Sequence, residues 1–399
     1  MPIPFVSNPL GIVKTLQQRT WLGYLQLKHD PTRLLTAIAG ITFADILIFL
    51  QLGFSDALYT TNTQYPRSLQ TDLVVLSTQA ESFSNLSTFA RSRLYQAQDV
   101  PGVASADALY IGSTDWQNPQ TLQDASMMVL GQDLDRPAFD LPEVNQQLGA
   151  VRIPNSVLFD QAARGEYQTM LAQVNAGETV TSEIGVQTVT VAGLFEVGAS
   201  FADDGALMTS QETFLRLFPR RSAGAVSLGL IRLEPGYTLE KVQAGLEARL
   251  PDDVQVMDHE SYVEFELNEI KAESPIGFVF GLGAAMGFIV GIVIVYQVLS
   301  TDVNSHLGEY ATFRAMGYRN LYLLGVIFEE ALILSVLGFI PGVLVSLVAY
   351  QITAAATALP LAMPLSRCIT VFVLTLVMCN ASGAVATRRL QSADPADIF

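Results

Sequence analysis

The stretch "IGFVFGLGAAMGFIVGIVIVYQVL", residues 276–299, contains no charged side chain. It is longer than the roughly 20 residues that an α-helix needs to cross the hydrocarbon core of a bilayer. Three further apolar runs pass the same length test, at residues 34–54, 321–350 and 368–387. The run at 368–387 is the weakest, so two to four spans are compatible with length alone. An even number fits the charge pattern best, and we predict four transmembrane α-helices.

The chain between the first and second runs, residues 55–275, differs in composition from the rest. It holds 30 acidic and 13 basic side chains, whereas the remaining residues hold 8 and 9. Half of the whole chain is hydrophobic and only 15% is charged, which is unusual for a soluble protein. We therefore predict an acidic, water-exposed domain inserted between helices 1 and 2. Its charge argues against nucleic acid and anionic lipid headgroups as its partners.

Basic residues in the short flanks predict the orientation. They lie in the leader (1–33), in the loop 300–320 and in the tail (388–399): Lys14, Arg19, Lys28, Arg33, Arg314, Arg319, Arg388 and Arg389. The opposite short loop, 351–367, has only Arg367. We therefore expect both termini and the 300–320 loop in the cytoplasm, and residues 55–275 outside. The leader has the spacing of an amphipathic helix that lies on the membrane surface or packs against protein.

The inserted domain has the mixed pattern of an α/β fold. Runs rich in β-branched residues or alternating in polarity predict strands at 71–78, 106–112, 187–198 and 225–233. Helical spacing predicts helices at 157–174 and 239–250, and the stretch 83–100 is expected to hold another helix that ends before Pro101. Residues 56–80 and 256–275 would be helices or stalks that join this domain to the first and second spans.

Three acidic residues interrupt the apolar runs: Asp45, Glu329 and Glu330. A charge at membrane depth costs about 2.5–3.5 kcal/mol on insertion scales, so such residues usually face protein or water. They could contact protons or substrate. They could also pair with polar groups such as Gln51, Tyr296 or Gln297 and fix helix packing, which is the interpretation that we favour.

Span two carries a repeat of small residues, Gly283, Gly287 and Gly291, at intervals of four. Such a repeat allows another helix to approach closely. The predicted packing seam could lie within one subunit or across a dimer axis, and the sequence does not choose between them.

The loop between spans two and three contains "GEYATFRAMGYRN", residues 308–320. Its apolar residues recur at helical spacing, a glycine follows them as a helix cap, and an acid and a base suit the two helix ends: Tyr310, Phe313, Met316, Gly317, Glu309 and Arg314. This pattern predicts a short amphipathic helix that a partner protein could grip. The alternative is a loop that only connects two spans.

The order of one span, a large outer domain and three spans resembles the MacB/FtsX-type permeases of ABC exporters. The loop "HLGEYATFRAMGYRN" (306–320) and the ending "SADPADIF" (392–399) are similar to that family's motifs. The stretches "AGITFADILIFLQLGF" (39–54) and "EALILSVLGFIPG" (330–342) resemble the DevC branch, the cyanobacterial permeases of DevBCA-type exporters.

The resemblance implies a multi-pass protein of the bacterial inner membrane that acts as a homodimer. Its partners would be a separate cytoplasmic ABC ATPase subunit, a periplasmic membrane-fusion protein and a TolC-type outer-membrane channel. ATP and Mg²⁺ would bind to the ATPase, and this chain would bind no cofactor. The residues singled out in 309–317 would form the coupling helix. The outer domain would have a porter-like lobe, 56–120 plus 225–274, and a second lobe, 121–224.

The sequence contains no G-x-x-x-x-G-K-[ST], H-E-x-x-H or G-x-S-x-G motif, so no catalytic or metal-binding residue is predicted. The resemblance predicts a permease that couples ATP hydrolysis to the export of a lipid-like or hydrophobic substrate. Alternatives are an FtsX-like regulator of an extracytoplasmic enzyme and a membrane-tethered receptor with no ATPase partner. The receptor hypothesis makes the 300–320 loop dispensable.

Overall fold

The computed structural model describes residues 29–273, 275–309, 312, 316 and 320–392, without the side chains of 273, 320–324 and 388–392. These residues divide into two compact units. One contains the residues up to 53, 280–350 and those from 363 onward, and the other contains 54–279 and 351–362.

The regular elements follow the chain as α1 Pro31–Ser68, β1 Leu73–Ser77, β2 Phe89–Ala90, α2 Ser92–Gln98, β3 Val103–Gln117, β4 Asp124–Gln132, α3 Pro142–Gln147, a 3-10 turn Ala150–Arg152, β5 Ser156–Asp160, α4 Gln168–Asn175, β6 Val180–Ile184, β7 Gln187–Phe195, β8 Gly205–Ser210, α5 Gln211–Leu217, β9 Ala225–Val226, β10 Leu228–Leu233, α6 Leu239–Arg249, β11 Val254–Asp258, α7 His259–Glu273, α8 Pro275–Ser305, α9 Asn320–Thr357 and α10 Leu365–Ser392.

Helices α1, α8, α9 and α10 are long and apolar enough to cross a membrane. A large α/β domain separates the first of them from the second along the chain. The predicted fold class is therefore confirmed. Three of the helices continue well past the apolar runs at 34–54, 276–299 and 321–350, because backbone hydrogen bonding does not stop where hydropathy falls.

Small residues allow the apolar helices to pack closely. A Cβ added to Gly338 of α9 would meet Ile41 Cβ of α1 at 2.6 Å, and one added to Gly342 would meet Asp45 Cβ at 3.0 Å. The core of this unit is built from aliphatic and small side chains of all four helices, including Ala37, Ile41, Ala44, Val295, Leu299, Ala331, Leu334, Met378, Cys379 and Ala386. Close backbone approach thus replaces the bulky interdigitation of a soluble core.

The α/β domain is built on a nine-stranded sheet with the order β11-β1-β10-β3-β4-β8-β5-β7-β6. Most neighbouring strands are antiparallel, while β4 with β8 and β5 with β7 are parallel. The 15-residue strand β3 pairs with β10 through Val103–Leu109 and with β4 through Tyr110–Gln117. Trp116 and Gln117 also pair with β6, which closes the six strands from β3 to β6 into a ring.

The shared strand β3 qualifies the predicted division into lobes. The prediction assigned residues 56–120 to the porter-like lobe and 121–224 to the second lobe. Residues Tyr110–Gln117 instead pair with strands of the second lobe, while the earlier part of β3 pairs with β10. The predicted boundary at 120/121 falls in the loop between β3 and β4, and β3 pairs with strands of both predicted lobes, so the division into lobes stays a prediction.

One predicted element of the domain is wrong. Residues 157–174 were predicted as one helix, whereas Ser156–Asp160 is a strand and only Gln168–Asn175 is helical. The helix predicted within 83–100 is confirmed as Ser92–Gln98. The other strand predictions overlap β1, β3, β7 and the β9–β10 pair.

Candidate functional site

The predicted coupling segment, residues 309–317, lies only partly within the described residues. Tyr310, Phe313, Arg314 and Gly317 lie outside them. Glu309 is exposed, and Met316 is 62% exposed. The Met316 amide donates to the Thr312 carbonyl at 3.0 Å, and the Thr312 hydroxyl donates to the Gly308 carbonyl at 2.9 Å. Both are i to i+4 contacts, the spacing of an α-helix.

The end of α8, directly before this segment, is tied to the beginning of α1. Arg33 Nη1 donates to Asp302 Oδ1 at 3.1 Å and to the Ser305 hydroxyl at 2.9 Å. Arg33 also forms an ion pair with Asp30 at 3.4 Å, and the Asp302 side chain is only 7% exposed. One guanidinium therefore fixes the last turns of α8 against α1.

Helix α9, which begins directly after the segment, supplies a third member of this group. Glu330 is fully buried, and its carboxyl group interacts electrostatically with those of Asp302 and Glu329. His306 directly follows α8, with Nδ1 3.1 Å from the Asp302 carbonyl oxygen. We call Arg33, Asp302, His306 and Glu330 the helix-end cluster. It lies between the helix that enters the predicted coupling segment and the helix that leaves it.

Asp45 lies in a separate place, at the centre of the helix packing. It is fully buried, and its Oδ1 accepts a hydrogen bond of 2.7 Å from the Thr375 hydroxyl of α10. Gly342 of α9 leaves room for it, because a Cβ there would stand 3.3 Å from Asp45 Oδ2. The partner is Thr375, which was not among the polar groups suggested from the sequence. The geometry is that of a contact between helices 1, 3 and 4.

The three glycines of α8 pack against α1 of the same chain. A Cβ on Gly283 would meet the Gln51 amide nitrogen at 2.7 Å, one on Gly287 would meet Leu47 Cβ at 3.2 Å, and one on Gly291 would meet Ala44 Cβ at 2.9 Å. The seam therefore has an intrachain partner. Whether it also serves a dimer stays a prediction.

Sequence reasoning missed the role of Arg33 and Asp302. Arg33 was used only as an orientation signal before the first span, and Asp302 was not singled out. The signal was present, because the two residues border spans one and two on the side predicted to be cytoplasmic and carry opposite charges. Arg367 was also used only for orientation; it is buried and donates to the Tyr350 hydroxyl at 3.1 Å.

In the α/β unit, Glu266 of α7 is buried with 1% of its surface exposed. The Phe83 amide donates to Glu266 Oε2 at 2.9 Å. Burial raises the pKa of Glu266 to about 7, although the Phe83 amide and the Tyr262 hydroxyl lower it and Glu269 raises it slightly. The helix directly before α8 therefore carries a carboxyl group that titrates near neutral pH.

Comparison with known families places Asp302, His306 and Glu330 of the helix-end cluster, but not Arg33, in a recognised domain. Residues 281–395 match the model of the FtsX-like permease C-terminal domain. This region is an FtsX-like permease domain. It contains α9, α10, most of α8 and the predicted coupling segment.

An uncharacterized ABC transporter permease of Mycobacterium tuberculosis, found in strains CDC 1551 / Oshkosh and H37Rv, is 22% identical over 224 residues. The alignment covers 56% of this chain and 58% of that relative, so little more than half of its length is matched. The similarity therefore extends beyond the FtsX-like permease domain, which is shorter than 224 residues.

Two solved structures align with about half of the chain. The extracellular domain of the noncanonic ABC-type transporter YknZ from Gram-positive bacteria is 15% identical and has a TM-score of 0.30, over 47% of this chain and 98% of its own. The periplasmic region of MacB from Actinobacillus actinomycetemcomitans is 11% identical with a TM-score of 0.33, over 51% and 94%.

Proposed function

We propose that this chain is the permease subunit of an ATP-driven tripartite exporter in a bacterial inner membrane. The observation that carries the proposal is an FtsX-like permease domain of three apolar helices placed after an α/β domain and a first apolar helix. In this proposal the chain acts as a homodimer with both termini in the cytoplasm. A separate ABC ATPase subunit binds ATP and Mg²⁺, and the outer domain meets a membrane-fusion protein and a TolC-type channel.

The helix-end cluster supports the coupling step of this proposal. When two ATPase subunits close on ATP, the segment 307–320 would be displaced with them. Because Arg33 holds Asp302 and Ser305, the last turns of α8 and the first turn of α1 would move together. Ala331 of α9 packs in the same apolar core as Leu299 of α8 and Ala37 of α1. A local push would thus reach all three helices.

The substrate class rests on the DevC-like motifs in α1, α9 and the coupling segment. A lipid-like or hydrophobic compound that is already outside the membrane would be expelled by motion of the α/β domain. The chain would then transmit force and would not conduct the substrate between its helices. Asp45 fits this mechanism as a structural residue, because its hydrogen bond with Thr375 stays within the bundle.

The test is ATP hydrolysis by complexes purified from host membranes through a tag on this chain. We compare the wild type with Glu309→Ala plus Arg314→Ala. The matched control is Glu178→Ala plus Arg220→Ala, which removes one acid and one base from exposed positions of the α/β domain. We expect the first pair to release or uncouple the ATPase and to stop export, and the control pair to do neither.

The outcomes separate the alternatives. If no ATPase co-purifies with the wild-type chain, the exporter proposal fails and the receptor hypothesis takes its place. If the ATPase binds and responds to the double change but no compound is exported, an FtsX-like regulator of an extracytoplasmic enzyme is favoured. If binding, hydrolysis and export all survive the double change, the segment is only a connector.

A further inference from the structure

The C-terminal end of α9 has an unusual backbone. Thr357 is the last residue of the helix, and Ala358 follows with a φ of +53°, while its amide still donates to the Ala354 carbonyl at 2.9 Å. This left-handed position after a helix is usually occupied by glycine, because a Cβ there crowds the backbone. Such strain persists only where surrounding contacts fix the chain.

A guanidinium group of the α/β domain supplies such a contact. Arg164 Nε donates to the Thr357 carbonyl at 2.7 Å. Its Nη1 forms an ion pair of 2.9 Å with Asp204, and its Nη2 donates to the Ser200 carbonyl at 3.1 Å. The Thr357 carbonyl is at the negative end of a helix, where a cation is favoured. We call Arg164, Asp204, Ser200 and Thr357 the arginine clasp.

The clasp is anchored in the sheet on the side of the α/β domain. The Arg164 amide donates to the Asp204 carbonyl at 2.6 Å. Asp204 in turn exchanges two hydrogen bonds with Ser126 of β4, from its own amide to the Ser126 carbonyl at 2.7 Å and from the Ser126 amide to Asp204 Oδ2 at 3.2 Å. These hydrogen bonds therefore fix the position of the Arg164 guanidinium independently of its contact with Thr357.

The end of α9 belongs to the domain that Arg164 comes from. Residues 351–362 fall in the same compact unit as the α/β domain, and Leu359 in this turn is buried. The same helix begins at Asn320, directly after the predicted coupling segment, and runs unbroken to Thr357 through Pro341. One helix thus has its beginning at the coupling segment and its end in the outer domain.

We infer that Arg164 is a positioning residue that fastens the end of α9 to the α/β domain. Helix α9 is then a direct mechanical connection from the segment 307–320 to the loop 198–204, additional to the chain connections through α1 and α7. The transmission of motion along α9 rests on the proposed function, because an ATPase partner would have to supply the motion. The attachment of α9 to the α/β domain by Arg164 does not rest on it, and the two are tested separately.

The fastening is tested by amide hydrogen exchange and mass spectrometry on the purified full-length chain in detergent micelles. The variants are Arg164→Ala and Arg164→Lys, and the control is Arg93→Ala, which removes an arginine that pairs with Asp253 elsewhere in the domain. We expect amides of 358–362 to exchange about tenfold faster in Arg164→Ala, the factor for losing one charge-assisted hydrogen bond. The control should match the wild type there.

Arg164→Lys keeps the charge but not the planar fork, so it should give an intermediate rate. It also decides the question if Arg164→Ala does not fold. Equal exchange at 358–362 in the wild type and in the lysine variant would overturn the fastening.

The transmission is tested on the same chain with its co-purified ATPase, with and without ATP plus vanadate. We expect nucleotide to change exchange at 198–204 in the wild type and in Arg93→Ala, and to leave it unchanged in Arg164→Ala with ATP hydrolysis retained. A nucleotide response at 198–204 that survives in Arg164→Ala would overturn transmission through α9. A wild-type chain without any ATPase would refute the proposed function and leave the fastening result standing.

Discussion

Replacing Glu266 by glutamine tests the buried carboxyl group of α7. Its pKa is raised from the usual 4.5 to about 7 because burial disfavours the charged form. An acid with a raised pKa in the folded state holds its proton longer than in the unfolded state. Folding therefore loses stability as pH rises from about 4.5 to about 7 and changes little outside that window.

The size of the effect follows from the shift. At about 1.4 kcal/mol per pKa unit, the loss between pH 4.5 and 7 amounts to about 3 kcal/mol. For a domain of this size, each kcal/mol of stability changes the melting temperature by about 2–4 °C. The titration of Glu266 should therefore make the wild type melt about 6–12 °C lower at pH 8 than at pH 4.5. Glutamine does not titrate and can still accept the hydrogen bond from the Phe83 amide.

The assay is thermal unfolding of the full-length protein in detergent, followed by the fluorescence of Trp116, which is fully buried in the α/β domain. Trp21 is replaced by phenylalanine in every variant, so that one tryptophan reports. Glu264→Gln is the control, because Glu264 is exposed on the same helix. The difference between the wild-type and Glu266→Gln melting temperatures should grow with pH. Parallel curves for the two proteins would refute the reasoning.

Three further outcomes are expected for the apolar helices. Gly291→Ala should lower the free energy of unfolding by about 1–3 kcal/mol, because its Cβ would stand 2.9 Å from Ala44 Cβ. The change is measured as a lower melting temperature in detergent. Gly281→Ala is the control and should leave the melting temperature unchanged, because there is open space around Gly281. Arg33→Ala and Asp302→Ala should each lower the free energy of unfolding by about 1–3 kcal/mol, measured by thermal unfolding. The double variant should lose clearly less than the sum of the two, because both changes remove the same interaction. Asp45→Asn keeps an oxygen that can accept the hydrogen bond from Thr375, so the proposed ATP-driven export should persist. If export is lost while the melting temperature is unchanged, Asp45 contacts protons or substrate instead.

The architecture could be predicted because the membrane imposes a strong signal. Four apolar runs of sufficient length and one acidic insertion leave few possible arrangements, and α1, α8, α9 and α10 follow them. The ends of the helices could not be predicted from hydropathy. Helix α1 continues to Ser68, well beyond residue 54, since polar residues continue a helix as readily as apolar ones.

Two of the missed strands, β5 and β8, share a physical cause. All five residues of β5, "SVLFD", are buried, and β8 is buried at five of its six positions. A strand buried on both faces has no alternation of polar and apolar residues, so a short apolar run looks the same in a strand and in a helix. In 157–174 the run joined a true helical pattern, and the two were predicted as one element. By contrast, β7 alternates along its length and was predicted.

Contacts between residues far apart in the chain could not be predicted from local patterns. Arg33 and Asp302 are 269 residues apart, and Arg164 and Thr357 are 193 apart, so no spacing rule connects them. Their positions relative to the membrane do carry information. Arg33 and Asp302 border neighbouring spans on one predicted face, and opposite charges at the ends of adjacent helices attract. The sequence gives no such signal for the contact of Arg164 with Thr357, because that contact requires the turn after α9 to lie against a loop of the α/β domain.

These two contacts occur at opposite ends of one helix and differ in what breaking them should do. The helix-end cluster brings Glu330 of α9 beside Asp302 of α8, towards the end of α9 that an ATPase would move. The arginine clasp holds its end through Thr357, close to β4 and the loop 198–204. If force passes along α9, loss of the first contact should lower ATP hydrolysis and export together, because the input is lost. Loss of the second should stop export while ATP hydrolysis continues, because only the output is lost.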